Sequence, residues 1–127
     1  MIFFVIKKQL DSYLELLKLV LPAVLIEHFD LIRTQSSDGR LHLYFEEKAA
    51  QPSEFSSMPL VSKGFYDEIT IQDFPLRGQL VYLHIKRRRW TNKDDGSIVK
   101  RNWELVASGT RYTQDFAAFL KELDRYQ

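Results

Sequence analysis

The chain of 127 residues contains no cysteine, which excludes disulfides, thiolate zinc sites and thiol catalysis. This absence fits a reducing compartment, so we expect a cytoplasmic protein. Glycine is scarce: the five glycines stand singly, and no phosphate-binding glycine loop is present. No apolar run is long enough to span a membrane. The three histidines, His28, His42 and His84, are dispersed and lack metal-ligand spacing. We therefore expect no metal and no cofactor.

The composition is that of a single globular domain. The hydrophobic fraction of 45% and the charged fraction of 28% are ordinary, and the length suffices for a core. We predict one domain over residues 1–127, with a helical and hairpin part at 8–47, a loop at 48–62, a β-rich basic part at 63–112 and a C-terminal helix at 113–127. The first six residues are too short for a signal-peptide core, and we expect a flexible or strand-like start.

The N-terminal part of the sequence predicts helices. Apolar residues recur at helical spacing over residues 8–21. Pro22 follows and is well placed to be the first residue of a second short helix at 23–29, with one kinked helix as the alternative. Paired helices of this kind serve in packing or in dimerisation, and we expect the apolar stripe to belong to the core.

A hairpin and a meander are predicted next. Residues 31–34 and 41–45 alternate around an Asp-Gly pair, which supplies the positive φ of a tight turn. Farther on, strands at 68–72, 80–90 and 98–106 form a plausible antiparallel meander, with a turn at 75–78 between the first two. With a final helix at 114–126, the predicted class is α+β.

One third of the chain is basic. Residues 77–111 carry nine Lys/Arg and three Asp/Glu, whereas residues 1–76 carry seven and eleven. The centre of this region is a run of four cations followed by tryptophan, at the end of an alternating strand. Cations beside an aromatic ring at a strand end indicate contact with a phosphate backbone, and a solvated edge strand is the alternative. The predicted nucleic-acid-binding residues are Lys86, Arg87, Arg88, Arg89, Trp90, Lys100, Arg101 and Arg111.

The sequence gives little support for catalysis. Asp67, Glu68 and Asp73 surround one strand, and carboxylates of this kind can bind metal or transfer protons. Without histidines in suitable positions, a solvated face is the stronger interpretation, so we expect no enzyme activity of the chain alone. His84 shares a strand face with Tyr82 and Lys86, where it could contact phosphate beside the arginines.

The segment 69–90 resembles a recurrent element of bacterial insertion-sequence transposases: an Asp–aliphatic–Pro turn, a glycine, a strand, then arginines and an aromatic residue. It is similar to the N-terminal region of the ISAon-type group, related to the larger ISL class. Residues 13–22, 63–66, 103–107 and 109–120 extend the similarity over nearly the whole chain.

The chain departs from the family pattern in three respects. It has no cysteine where the larger class builds a zinc ribbon, no second helix of a helix-turn-helix, and no catalytic acidic triad. The resemblance implies a metal-free ribbon within the short N-terminal product, which binds the DNA of transposon ends and is encoded ahead of a catalytic transposase subunit. The alternative is a protein-interaction or regulatory module that docks on that subunit or forms a homodimer.

Overall fold

The computed structural model describes residues 2–101, apart from the side chains of Phe3 and Phe4. The predicted C-terminal helix, most of the predicted strand at 98–106 and Arg111 lie outside these residues. Within them the α+β class is confirmed. The elements are α1 (Ile2–Val20), α2 (Ala23–His28), β1 (Phe29–Ser37), β2 (Arg40–Glu47), a 3-10 turn (Ser53–Phe55), β3 (Leu60–Phe65), β4 (Ile69–Leu76), β5 (Gln79–Lys86), β6 (Arg88–Asn92) and β7 (Ile98–Val99).

Two separate helices form the N-terminal part. Helix α1 already begins at Ile2, so the predicted flexible or strand-like start is wrong; a short apolar run does not distinguish strand from helix. Pro22 lies at the N-cap of α2, where its missing N–H costs nothing.

Most of α1 does not join the core of the described residues. Among the described side chains of this helix, only Leu17 packs against the core cluster. The prediction that the α1 stripe belongs to the core is therefore wrong for most of its length. The exposed large hydrophobic residues of α1 are Ile2, Val5, Ile6, Leu10, Tyr13, Leu14, Leu16, Leu19 and Val20. No helix within residues 2–101 has both the length and the apolar character that a membrane crossing requires.

The main sheet joins two hairpins side by side, in the strand order β1-β2-β5-β4. The β1–β2 hairpin is confirmed, and its turn has positive φ at Asp38 (52°) and Gly39 (73°). The β4–β5 hairpin turns in the same way at Arg77 and Gly78, so Pro75 lies inside β4 and not in the turn. The central strands β2 and β5 pair in parallel.

A second, three-stranded sheet has the order β3-β6-β7. The predicted strand at 80–90 is divided at Arg87, because β5 belongs to the first sheet and β6 to the second. The predicted single meander is therefore wrong as one sheet, although both of its antiparallel pairs are present, β4–β5 in the first sheet and β6–β7 in the second. Strand β3, with which β6 pairs, begins inside the segment predicted as a loop.

One face of the main sheet is buried and the other is open. The buried face alternates along β2 and β5 and packs with α2 in a single cluster, whose most enclosed members are Leu25, Phe45, Val81, Leu83 and Ile85. The intervening residues of β2 and β5 point to the opposite side, as the period of a strand requires. This opposite side is called the outer face.

Candidate nucleic-acid interface

The basic run lies at the junction of the two sheets. Lys86 is the last residue of β5 and Arg88 is the first of β6, with Arg87 between them. Successive side chains of an extended segment point to opposite sides, so the four cations do not share one surface. Only Arg89 of the four is exposed, while Lys86 and Arg88 are half-buried.

Arg88 and Arg101 hold a buried carboxylate. Glu47 is 1% exposed, and its Oε1 accepts a hydrogen bond of 2.9 Å from the Arg88 backbone N–H. Arg101 Nε donates to the Glu47 Oε2 at 3.3 Å, and Arg88 Nε donates to the Glu47 carbonyl at 3.1 Å. Burial raises the pKa of the Glu47 carboxyl, while the Arg88 N–H and the Arg101 charge act in the opposite direction. These contacts tie β2 of the main sheet to β6 of the second sheet and to Arg101, which follows β7.

Further hydrogen bonds attach the same two arginines to other segments. Arg88 Nη1 donates to Ser62 Oγ on β3 at 2.7 Å, and Arg101 Nη2 donates to the Ala50 carbonyl at 2.8 Å. Glu47 was not among the predicted site residues. The sequence feature that could have revealed its burial is the alternation of β2, which places Glu47 on the same face as Leu43 and Phe45.

Two other members of the predicted set are also inside the protein. Arg87 is 5% exposed, and its guanidinium carbon lies 5.5 Å from the centre of the Tyr66 ring. Trp90 is 3% exposed, so in this structure its indole packs and does not offer a face to a base. Lys100 is half-buried. Of the predicted residues that the structure describes, Arg87, Arg88, Trp90 and Arg101 have contacts inside the protein, Arg89 is exposed, and Lys86 and Lys100 are half-buried; nucleic-acid contact by any of them stays a prediction.

The outer face carries a row of four nearly parallel rings from β2 and β5, called the ring stack, in which the two central rings, His42 and His84, meet edge to edge through their nitrogens. From one end to the other the ring stack comprises Tyr82, His42, His84 and Tyr44, with successive centroids 5.2, 5.1 and 4.4 Å apart. The parallel register explains the arrangement, because it pairs His42 with Tyr82 and Tyr44 with His84. At the Tyr44 end, the Arg33 guanidinium carbon lies 4.0 Å from the ring centre, in cation–π geometry.

Hydrogen bonds fix the two histidines in the stack. His42 Nδ1 and His84 Nε2 are 2.8 Å apart, and Thr70 Oγ1 lies 3.0 Å from His84 Nδ1. Burial lowers the pKa of His84, while the nearby Glu68 carboxylate raises it. A neutral imidazole has one donor and one acceptor nitrogen, which suits its two partners. Sequence reasoning treated the histidines as dispersed, since nothing local encodes the pairing of β2 with β5.

An open depression of about 500 Å³ lies at the Tyr44 end of the stack. Its cations come from Arg33 and Lys86, and Glu68 contributes one carboxylate. Ile32, Tyr44 and Phe45 complete the lining. A ligand here would meet two positive groups, one acceptor and apolar surface, a combination that suits a nucleotide better than a simple anion.

The described part of the chain contains no cluster of side chains that could bind a metal ion. No group of three or more His, Asp or Glu side chains in residues 2–101 is arranged to hold a metal ion. Glu68 lies 3.7 Å from His84, but Asp67 and Asp73 do not complete a site with them. Comparison of the chain with protein-family models, with curated proteins and with solved structures finds no match.

Proposed function

We propose that the chain is a non-catalytic DNA-binding module whose contact surface is the outer face of the main sheet. The observation that carries the proposal is the ring stack, which ends in a depression lined by the two cations Arg33 and Lys86. Cations neutralise phosphates and release counterions, and aromatic rings provide faces and edges for bases. The resemblance to ISAon-type N-terminal proteins names DNA, and transposon ends in particular, as the expected ligand.

The proposal reassigns the contact residues within the basic region. Lys86 remains in the interface because it lines the depression, and Arg89, which is exposed on β6, extends the interface to the second sheet. Arg33 and Arg40 join them from the neighbouring hairpin, where both are exposed. The contacts of Arg88 and Arg101 with Glu47 give these two arginines the task of joining the sheets.

Removing the two cations of the depression tests the proposal. We expect Arg33→Gln combined with Lys86→Gln to weaken binding of a labelled duplex and to make the plot of log K against log salt less steep by about 1.8, since each phosphate contact contributes about 0.9. Fluorescence anisotropy over a salt series measures both quantities. Arg89→Gln, measured in the same way, gives the contribution of the second sheet.

The matched control removes the same charge from another place. Lys63→Gln combined with Lys93→Gln changes two exposed lysines that lie on β3 and after β6. This control is expected to leave the salt slope near that of the unaltered protein. Equal slopes for the two double variants would mean that only net charge matters, and the proposed interface would be wrong.

A second candidate function is contact with another protein molecule through α1. Nine large apolar side chains of this helix are exposed, and a monomer rarely leaves so much apolar surface in one region. The partner would be a second copy or the catalytic subunit that the resemblance implies. Light scattering over a concentration range is expected to show a mass above that of the monomer, and Leu16→Glu is expected to restore the monomer mass. A constant monomer mass, alone and with that subunit, would contradict this function.

A further inference from the structure

The ring stack has one capped end and one open end. Arg33 covers Tyr44, and His84 lies against the other face of the same ring. At the opposite end Tyr82 stacks on His42. Among the side chains that the structure describes, no second ring or guanidinium stacks on Tyr82, which is half-buried, so a planar ligand can reach the uncovered part of this ring.

The surroundings of Tyr82 suit a planar ligand that carries a negative charge. Leu80 precedes Tyr82 by two residues on the same face of β5 and is 38% exposed, and Phe74 of the neighbouring β4 is 59% exposed. The parallel register places Arg40 beside Leu80, and Arg40 is exposed. The register therefore places apolar side chains, an aromatic ring and a guanidinium near one another at this end, which is the chemistry that recognises a base and its phosphate.

The two cationic ends of the outer face lie too far apart for one nucleotide to reach both. Leu80, which pairs with Arg40, and Lys86 are six positions apart on β5, a distance of about 20 Å at the rise of a strand. Phosphates can be bound at both ends, by Arg40 at the Tyr82 end and by Arg33 and Lys86 in the depression. In the depression, the Glu68 carboxylate can accept hydrogen bonds from the N–H groups of a base. A short strand of about four nucleotides covers this length, at the lower limit for binding sites on sheets of this kind.

Base pairing decides which form of DNA can use the site. In a duplex, the two faces of each internal base are covered by its neighbours and are not available to Tyr82. We infer that the outer face binds an unpaired DNA strand, which runs along β2 and β5 with one base stacked on Tyr82 and phosphates at Arg40 and at the Arg33–Lys86 depression. This inference rests on the proposed function and makes it more specific.

Three labelled ligands of equal length test the inference with the full chain: an oligothymidylate, an abasic strand and a duplex. The oligothymidylate is expected to bind more tightly than the abasic strand, which has the same phosphates without bases, and more tightly than the duplex. Tyr82→Ala is expected to weaken oligothymidylate binding about 5-fold to 150-fold, the range for the loss of one stacked base, and to leave abasic-strand binding unchanged.

Three further variants separate stacking from damage to the fold. Tyr82→Phe keeps the ring and is expected to bind as the unaltered protein does. Phe74→Ala removes an exposed side chain outside the stack and is expected to weaken binding of the oligothymidylate but not of the abasic strand. Tyr13→Ala removes the same side chain from an exposed position of α1 and is expected to leave the binding of both strands unchanged.

The outcomes distinguish the inference from the function on which it rests. Equal affinity for the oligothymidylate and the abasic strand, or an equal loss for both in Tyr82→Ala, would overturn the stacking site and leave a phosphate-binding module. Tighter binding of the duplex would also overturn the inference while the proposed function survives. If none of the three ligands binds at low salt, the proposed function itself fails.

Discussion

Replacing Glu47 with alanine is expected to lower the free energy of unfolding by about 3–5 kcal/mol, the range for breaking a buried ion pair by removing one partner. The carboxylate is 1% exposed and accepts hydrogen bonds from the Arg88 N–H and from Arg101 Nε. Without it, the Arg101 charge, whose side chain is 8% exposed, would lose its carboxylate partner. Urea denaturation followed by tryptophan fluorescence measures the change.

The neighbouring glutamate provides the control. Glu46 lies on the outer face of β2 and is half-buried. Glu46→Ala removes the same carboxylate side chain from the same strand, but from outside the core. This change is expected to alter stability by less than about 1 kcal/mol. Similar losses for the two variants would show that the buried carboxylate does not join the sheets, and the structural task assigned to Arg88 and Arg101 would be wrong.

Leu83→Ala is expected to lower the free energy of unfolding by about 2–5 kcal/mol, as buried leucines do when they are truncated to alanine. Leu83 is fully buried at the centre of the main sheet, on a strand flanked by β2 and β4. The loss combines the transfer energy of the missing carbons with the cavity that the cross-strand neighbours Leu43 and Ile71 leave open. The same urea experiment measures it.

Leu80 tests whether burial, and not residue type, causes this loss. It lies on the same strand as Leu83, but on the outer face, and is partly exposed. Leu80→Ala is expected to cost less than about 1 kcal/mol. A cost as large as that of Leu83→Ala would place Leu80 in a buried contact and would remove it from the surface proposed to receive a base.

Local signals in the sequence were sufficient for the two hairpins. Asp38-Gly39 and Arg77-Gly78 both adopt the positive φ of tight turns, and glycine is the residue that makes such turns inexpensive. Alternation of apolar residues then fixed the buried face of β2 and β5. The parallel pairing of β2 with β5 was beyond prediction because it joins segments about forty residues apart, through contacts that no local pattern encodes.

The charge pattern predicted a basic region, but it did not predict which of the basic side chains lie on one surface. A run of cations along extended backbone points to two sides, so only part of the run from Lys86 to Arg89 could share a face. Arg87 and Arg88 instead turn to partners inside the protein, and the strand breaks where it passes from one sheet to the other. The ring stack could not be predicted either, since its members alternate between strands whose register was unknown.

The central parallel pairing also determines when the ring stack can form. Each hairpin is local in sequence and can close in about 1–10 μs, whereas joining β2 to β5 requires a larger loop to close first. Folding is therefore expected to be limited by the docking of one preformed hairpin on the other. His42 and Tyr44 arrive with the first hairpin, and Tyr82 and His84 with the second. The surface proposed to bind DNA thus comes into existence only at the last step of folding, so a partly folded chain would not expose it.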